Sequence, residues 1–123
     1  MTSTIAQWTL DVRDVATMAA FWAGALGYRI ENRDDGSAKL RPPDDAAPGA
    51  LTVWLQPSAG EKLVKNRDHP DLVTTDPGGW EAEVDRLMTL GARLADVGQK
   101  GDEGFTVLAD PEGNEFCLLH RGS

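Results

Sequence analysis

The chain has 123 residues, of which 20 are acidic and 12 are basic, so its formal net charge at pH 7 is -8. This length suits one domain, and the acidic excess would repel a phosphate backbone, so we exclude nucleic acid as a partner. No apolar run approaches the roughly 20 residues that span a bilayer and the start "MTSTIAQW" lacks the features of a secretion signal, so we expect no membrane partner and a cytoplasmic location.

The first half of the chain predicts a strand, a helix and three more strands. Residues 5–12, "IAQWTLDV", alternate between polar and apolar as a strand does. Asp14 is a good helix N-cap, apolar residues then recur at helical spacing, and Gly27 ends the helix. The later strands are predicted near residues 28–32, 38–40 and 51–56.

The second half predicts the same order of elements. A strand at residues 69–74 precedes a helix that carries Trp80 and Leu87 and stops at Gly91. Its later strands are predicted near residues 93–95, 105–108 and 115–120.

Three pairs of segments indicate an internal duplication of about 60 residues. An offset of 62 places Gln7 on His69, and an offset of 64 places "LGYRI" on "LGARL" and "GALTVWLQ" on "GNEFCLLH". We therefore predict an α+β fold of two tandem βαβββ modules, which form one curved mixed sheet with the helices outside and a concave inner cavity. The single domain would span residues 1–123, with module one at about 1–58, an exposed linker at about 58–66 and module two at about 67–123.

Strand alternation predicts which side chains face that cavity. Trp8 and Trp54 are assigned to the helix side of the sheet, with the core. The predicted inward-facing set is Gln7, Thr9 and Asp11 from the first strand, Val53 from the last strand of module one, His69 and Asp71 from the first strand of module two, and Glu115 and Cys117 from the last strand.

Nearly the whole chain resembles the glyoxalase, bleomycin resistance and ring-cleaving dioxygenase superfamily, also called the vicinal oxygen chelate proteins. The most specific likenesses are Phe21 and Trp22 with the following "LGY", the segment "NRDHPDL" and the segment "DPEGNEF". Among its members, the chain is most similar to glyoxalase-like domain proteins. The resemblance implies paired βαβββ modules and, in metal-dependent members, one ligand from the first and last strand of each module. It also implies a homodimer.

In this chain the implied ligand positions are only half filled. Gln7 and His69 are permitted types, but the position in the last strand of module one falls on Val53 or Trp54, and Cys117 stands where a glutamate is expected. We therefore expect no cofactor and no intact metal site. If a divalent metal binds, the predicted ligands are Gln7, His69 and Glu115.

Two functional interpretations remain open. The first is a binding protein that holds a small organic molecule in the cavity, with Gln7, Thr9, Asp11, Val53, Glu115 and Cys117 as ligand-binding residues. The second is a lyase or isomerase, or a metal-dependent enzyme, that uses His69. His69 and Asp71 are the catalytic candidates because an imidazole exchanges protons near neutral pH. Cys117 is either a nucleophile activated by His69 or a small buried apolar side chain.

Overall fold

A computed structural model describes residues 1–122 of the chain. The chain divides into two compact units, of which the first is Met1–Glu61 and the second begins at Lys62. Each unit has a strand, a helix and three further strands. The predicted α+β class with two βαβββ modules is confirmed, although the strands are hydrogen-bonded as two sheets of four where one mixed sheet was predicted.

The first unit is built on a mixed sheet in the strand order β1-β4-β3-β2. Strand β1 runs parallel to β4, and the other neighbours are antiparallel. Its elements are β1 (Gln7–Asp11), α1 (Val15–Leu26), β2 (Arg29–Asn32), β3 (Ala38–Arg41) and β4 (Thr52–Gln56).

Helix α1 has the ends that the sequence predicts. The side chain of Asp14 accepts a hydrogen bond from the backbone N–H of Thr17 at 3.2 Å. Gly27 ends the helix with φ of 71°, a left-handed conformation that glycine adopts at little cost. Local sequence therefore determines both the start and the stop of α1.

The core of the first unit lies between its sheet and α1. Trp22 of the helix packs edge to face against Trp8 of β1, with ring centroids 5.0 Å apart. Phe21 packs against Trp22 in the same way at 5.1 Å. Val53 and Leu55 of β4 are buried at 2% and 0% exposure. Trp8 therefore lies on the helix side of the sheet, as predicted.

The second unit repeats the design with the strand order β5-β8-β7-β6. Phe116 and Leu118 are fully buried, together with Leu87 of the helix. Trp80 stacks on His120 with ring centroids 3.6 Å apart. The elements are β5 (Asp71–Thr74), α2 (Gly79–Leu90), β6 (Arg93–Leu94), β7 (Phe105–Ala109) and β8 (Glu115–Gly122). Within the described residues, neither helix has the length and apolar character needed to cross a membrane.

The predicted facing of β4 is wrong. Strand pairing places Trp8 beside Val53 and Thr9 beside Trp54. Neighbours paired in a sheet point to the same face, so Val53 lies on the helix side and Trp54 on the opposite side. Val53 therefore belongs to the core of the first unit and is not a ligand-facing residue.

The error has a simple origin in the register of the duplication. Thr9 pairs with Trp54 and Asp71 pairs with Cys117, so Trp54 is the structural counterpart of Cys117. This correspondence is an offset of 63 residues, one fewer than the 64 inferred from "GALTVWLQ" and "GNEFCLLH". A shift of one residue exchanges the two faces of a strand, which is why the prediction for the whole of β4 reversed.

Candidate functional site

Three side chains that could bind a metal ion or take part in a reaction lie close together in the second unit. They are His69, Asp71 and Cys117, and we call them the His-Asp-Cys cluster. The predicted strand began at His69, but β5 begins two residues later at Asp71, so His69 lies in the segment that precedes the strand. Cys117 lies on β8 directly beside Asp71. One ligand atom from each residue lies within 4.8 Å of the others, and His69 Nε2 is 3.2 Å from Asp71 Oδ1. The carboxylate therefore lies within ion-pair distance of the imidazole, although both side chains are partly exposed.

Burial in the sheet decides the state of the Cys117 thiol. Desolvation raises the pKa of Cys117, and the negative charge of Asp71 and its hydrogen bond with the thiol raise it further. The positive charge of Lys65 acts in the opposite direction without reversing the shift. The thiol is therefore protonated at neutral pH, which disfavours an activated nucleophile and favours the other interpretation, a small buried side chain.

Glu115 is not a member of this cluster. Its carboxylate contacts residues of the segment that precedes β5. Its carboxylate contacts Lys62 Nζ at 3.0 Å and 2.8 Å and accepts a long hydrogen bond, 3.4 Å, from the backbone N–H of Asn66. Burial alone would raise the pKa of Glu115, but the hydrogen bonds from Lys62 and Asn66 and the charge of Lys62 lower it overall. Lys62 falls in the predicted exposed linker, but its side chain is only 20% exposed because it packs against Glu115 of β8.

An open cavity of about 310 Å³ adjoins these groups. Val97, Phe105 and Val107 supply an apolar wall, and Lys65 adds an ammonium group. The segment between β6 and β7 forms one side. The remaining lining residues are His69, Gly98, Gln99, Glu103, Glu115 and Cys117.

The predicted site residues of the first unit lie on the sheet face opposite α1. Gln7 Oε1 accepts a hydrogen bond from Thr52 at 3.1 Å, and Gln7 Nε2 is 3.5 Å from Thr9 Oγ1. Asp11 accepts a hydrogen bond of 2.7 Å from Ser58. Each of these side chains thus has a partner within its own unit, and the predicted meeting of Gln7 with His69 stays a prediction.

The chain does not supply the ligands of a hard divalent cation at the implied positions. Trp54, the counterpart of Cys117, has no atom that coordinates such an ion. Glu115 is the only carboxylate in the predicted set Gln7, His69 and Glu115, and it is neutralised by Lys62. A protonated thiol at Cys117 is a soft donor that does not suit oxygen-preferring ions. The residues present therefore do not fit the metal site that the resemblance implies.

Sequence reasoning missed Lys62, Lys65, Phe105 and Val107. The sequence did contain a signal for Phe105 and Val107, because they occupy alternate positions of a predicted strand and so share one face. In the structure they pair across the sheet with Leu119 and Cys117. The lysines had none, because nothing local tells which acidic residue a loop lysine will meet.

Comparisons with known proteins agree with this architecture. The model of the glyoxalase-like domain family matches residues 7–119. No curated protein matches the chain.

Solved structures with the same fold are distant in sequence. A glyoxalase/bleomycin resistance protein/dioxygenase family enzyme from Burkholderia phytofirmans is 16% identical with a TM-score of 0.70, covering 94% of this chain and 97% of that chain. The fosfomycin resistance protein FosX from Mesorhizobium loti is 19% identical with a TM-score of 0.69, covering 98% and 94%. A FosX mutant from Listeria monocytogenes, complexed with Mn(II) and 1S,2S-dihydroxypropylphosphonic acid, is 16% identical with a TM-score of 0.72, covering 100% and 93%. From the family match over residues 7–119, the chain belongs to the glyoxalase-like domain family of the vicinal oxygen chelate superfamily.

Proposed function

We propose that the protein binds a small organic molecule in the cavity of its second unit, without a chelated metal ion. One observation carries the proposal: the cavity combines an apolar wall with polar groups that converge on it. Its volume of about 310 Å³ lies at the small end of the range usual for ligand sites. The ligand is therefore small.

The charges around the cavity favour a ligand that carries hydrogen-bond acceptors. The carboxylate of Glu115 is neutralised by Lys62, and that of Glu103 accepts hydrogen bonds from the backbone N–H groups of Lys100 and Gly101. Lys65 and a half-exposed His69 remain as groups that can donate to a ligand. A ligand with an apolar body in contact with Phe105 and one acceptor group near Lys65 would match both the apolar and the polar lining of the cavity.

Thermal shift with a panel of small aromatic and aliphatic acids and amides tests this proposal. A ligand at 100 times its Kd stabilises the native state by about 2.7 kcal/mol. That stabilisation should disappear in Phe105→Ala and weaken in His69→Gln, and it should persist in Asp68→Asn, an exposed neighbour that does not line the cavity. A panel without any stabilising compound, or stabilisation that survives Phe105→Ala, would count against the proposal.

A second candidate, a lyase or isomerase activity, is favoured by the contact of 3.2 Å between His69 and Asp71. An imidazole beside a carboxylate at the edge of a cavity is a suitable general base. Its test is deuterium uptake from solvent into any compound found by thermal shift. Deuterium uptake by the wild type that is lost in His69→Gln would support a lyase or isomerase activity. Binding without deuterium uptake would support a binding protein without catalysis.

Metal-dependent chemistry is the remaining alternative. The His-Asp-Cys cluster offers one nitrogen, one carboxylate oxygen and one sulfur atom within 4.8 Å of one another, but the thiol is protonated and the carboxylate of Glu115 is held by Lys62. Thermal shift with Zn(II), Ni(II), Mn(II) and Fe(II) should therefore show no stabilisation that depends on His69. Stabilisation by Mn(II) that is lost in His69→Ala would restore the metal enzyme. The homodimer and the cytoplasmic location stay predictions.

A further inference from the structure

Residues 62–70, which precede β5, contribute one side of the cavity in the second unit, and we call them the wall segment. Lys65 and His69 of this segment line the cavity together with Cys117 of β8. His69 and Cys117 have ligand atoms within 4.8 Å of each other, and the backbone N–H of Cys117 donates to the carbonyl of Pro70 at 3.0 Å. The wall segment therefore lies directly against Cys117, which is only 7% exposed.

Burial of apolar side chains does not hold the wall segment in place. None of its residues is buried, and its two aliphatic residues, Leu63 and Val64, are 81% and 78% exposed. The segment contains no helix or strand, and the backbone hydrogen bond of Pro70 fixes only its last residue. A segment that buries so little apolar area opens locally at a small cost in free energy, well below that of global unfolding.

The contacts that do hold the wall segment converge on one residue of β8, Glu115. Lys62 Nζ lies 3.0 Å and 2.8 Å from the two carboxylate oxygens, and it also donates to the carbonyl of Val64 at 2.6 Å. Asn66 donates to the carboxylate from its backbone N–H and to the Glu115 carbonyl from its side chain, both at 3.4 Å. Hydrogen bonds of that length are weak, so the ion pair between Lys62 and Glu115 is the main contact.

We propose that the wall segment opens and closes at the cavity, and that the ion pair between Lys62 and Glu115 keeps it closed. Breaking the pair moves Lys65 and His69 away from the cavity and uncovers the thiol of Cys117. Lys62 does not line the cavity and is therefore a positioning residue. The use of this opening for ligand entry rests on the proposed function, whereas the opening itself is measurable without a ligand.

The reaction of Cys117 with iodoacetamide measures the opening, because the chain has a single cysteine. Lys62→Met removes the ion pair and should raise the rate at pH 8 at least about tenfold, since the broken contact is mostly buried. Lys62→Arg keeps the charge and should restore the rate to within about threefold of the wild type. Loss of a positive charge by itself raises the pKa of a thiol, so a faster reaction in Lys62→Met reports access to Cys117.

Arg67→Gln is the matched control within the wall segment. Arg67 is exposed, and it is not among the groups that bond to Glu115 in the described chain. The substitution removes one positive charge and leaves the contacts of Lys62 in place. The reaction rate of Cys117 should stay within about twofold of the wild type, since exposed charges contribute little.

The urea dependence of the rate separates local opening from global unfolding. Opening exposes little surface, so the rate in Lys62→Met should change little with urea below the unfolding transition. Leu108→Val weakens the buried core beside β8 without touching the wall segment, and its reaction should proceed through unfolding, with a rate that rises steeply with urea. Hydrogen exchange of the Asn66 amide in the wild type needs no variant and should also be nearly independent of urea.

Five outcomes would overturn the proposal. They are an unchanged rate in Lys62→Met, an equal rise in Arg67→Gln, a rate in Lys62→Arg as high as that in Lys62→Met, a rate in Lys62→Met that depends on urea as steeply as in Leu108→Val, and exchange of the Asn66 amide only through global unfolding. The proposed binding function fails separately. A compound panel without any stabilising ligand would reject that function, whereas a faster reaction in Lys62→Met would still establish the opening.

Discussion

Glu115→Gln is expected to destabilise the protein although the substitution preserves shape. In the native state the Glu115 and Lys62 side chains are 11% and 20% exposed, and their closest contact is 2.8 Å. Glutamine keeps an acceptor for Asn66 but leaves the Lys62 ammonium without a counter-charge. The contact between Lys62 and β8 therefore weakens.

The size of the loss lies between two limits. Breaking a fully buried ion pair costs about 3–5 kcal/mol, and exposed pairs contribute about 0.2–1 kcal/mol. For a pair that is mostly but not fully buried we expect about 2 kcal/mol, which lowers Tm by about 8 °C in a chain of this length. The assay is urea and thermal unfolding of the wild type, Glu115→Gln, Lys62→Met and the double variant.

The pH dependence provides a second test of the same contact. The pKa of Glu115 in the folded state is lowered from its ordinary value of 4.5, so its stabilising effect is fully present above pH 4.5. It is lost as the pH falls through the folded-state pKa, and the difference between the wild type and Glu115→Gln should shrink there. Asp44→Asn, which breaks an exposed pair with Arg29, should leave Tm nearly unchanged. Equal effects of Glu115→Gln and Asp44→Asn, or additive effects of Glu115→Gln and Lys62→Met, would refute the reasoning.

Three further variants test separate features. Cys117 should react with iodoacetamide at pH 8 more slowly than free cysteine, and Asp71→Asn should accelerate the reaction because it removes a charge that raises the thiol pKa. Mass spectrometry measures the rate, and an unchanged rate in Asp71→Asn would contradict the assigned cause. Val53→Ala should cost about 2 kcal/mol in urea unfolding and Thr52→Ala less than half of that, because only Val53 faces α1; the reverse order would contradict the corrected register. Gly27→Ala should lower the free energy of unfolding by about 1 kcal/mol because φ is 71°, and by no more than that because no atom lies within 4 Å of an added Cβ. Gly27→Asn should lower it less, and an unchanged Tm in Gly27→Ala would mean that the helix end adjusts freely.

Local chemistry made the helices and the order of elements predictable. Asp14 and Gly27 act on the backbone groups next to them, so α1 begins and ends where the sequence indicates. The faces of β1 and β8 followed from alternation, because polar residues there alternate with Leu10 and with Phe116 and Leu118. In β4, "LTVWLQ" has apolar residues at consecutive positions, so alternation alone does not predict which side chains face the helix.

The sequence by itself therefore determined a duplicated βαβββ plan and the positions of its helices, because these depend on contacts between near neighbours in the chain. Tertiary structure decided which side of β4 is buried, since that depends on the register with β1. It also decided that Glu115 meets Lys62, 53 positions away, and that Cys117 lies beside Asp71. Such contacts between distant residues depend on how strands pair and how a loop folds back, and no local pattern of residue types specifies them.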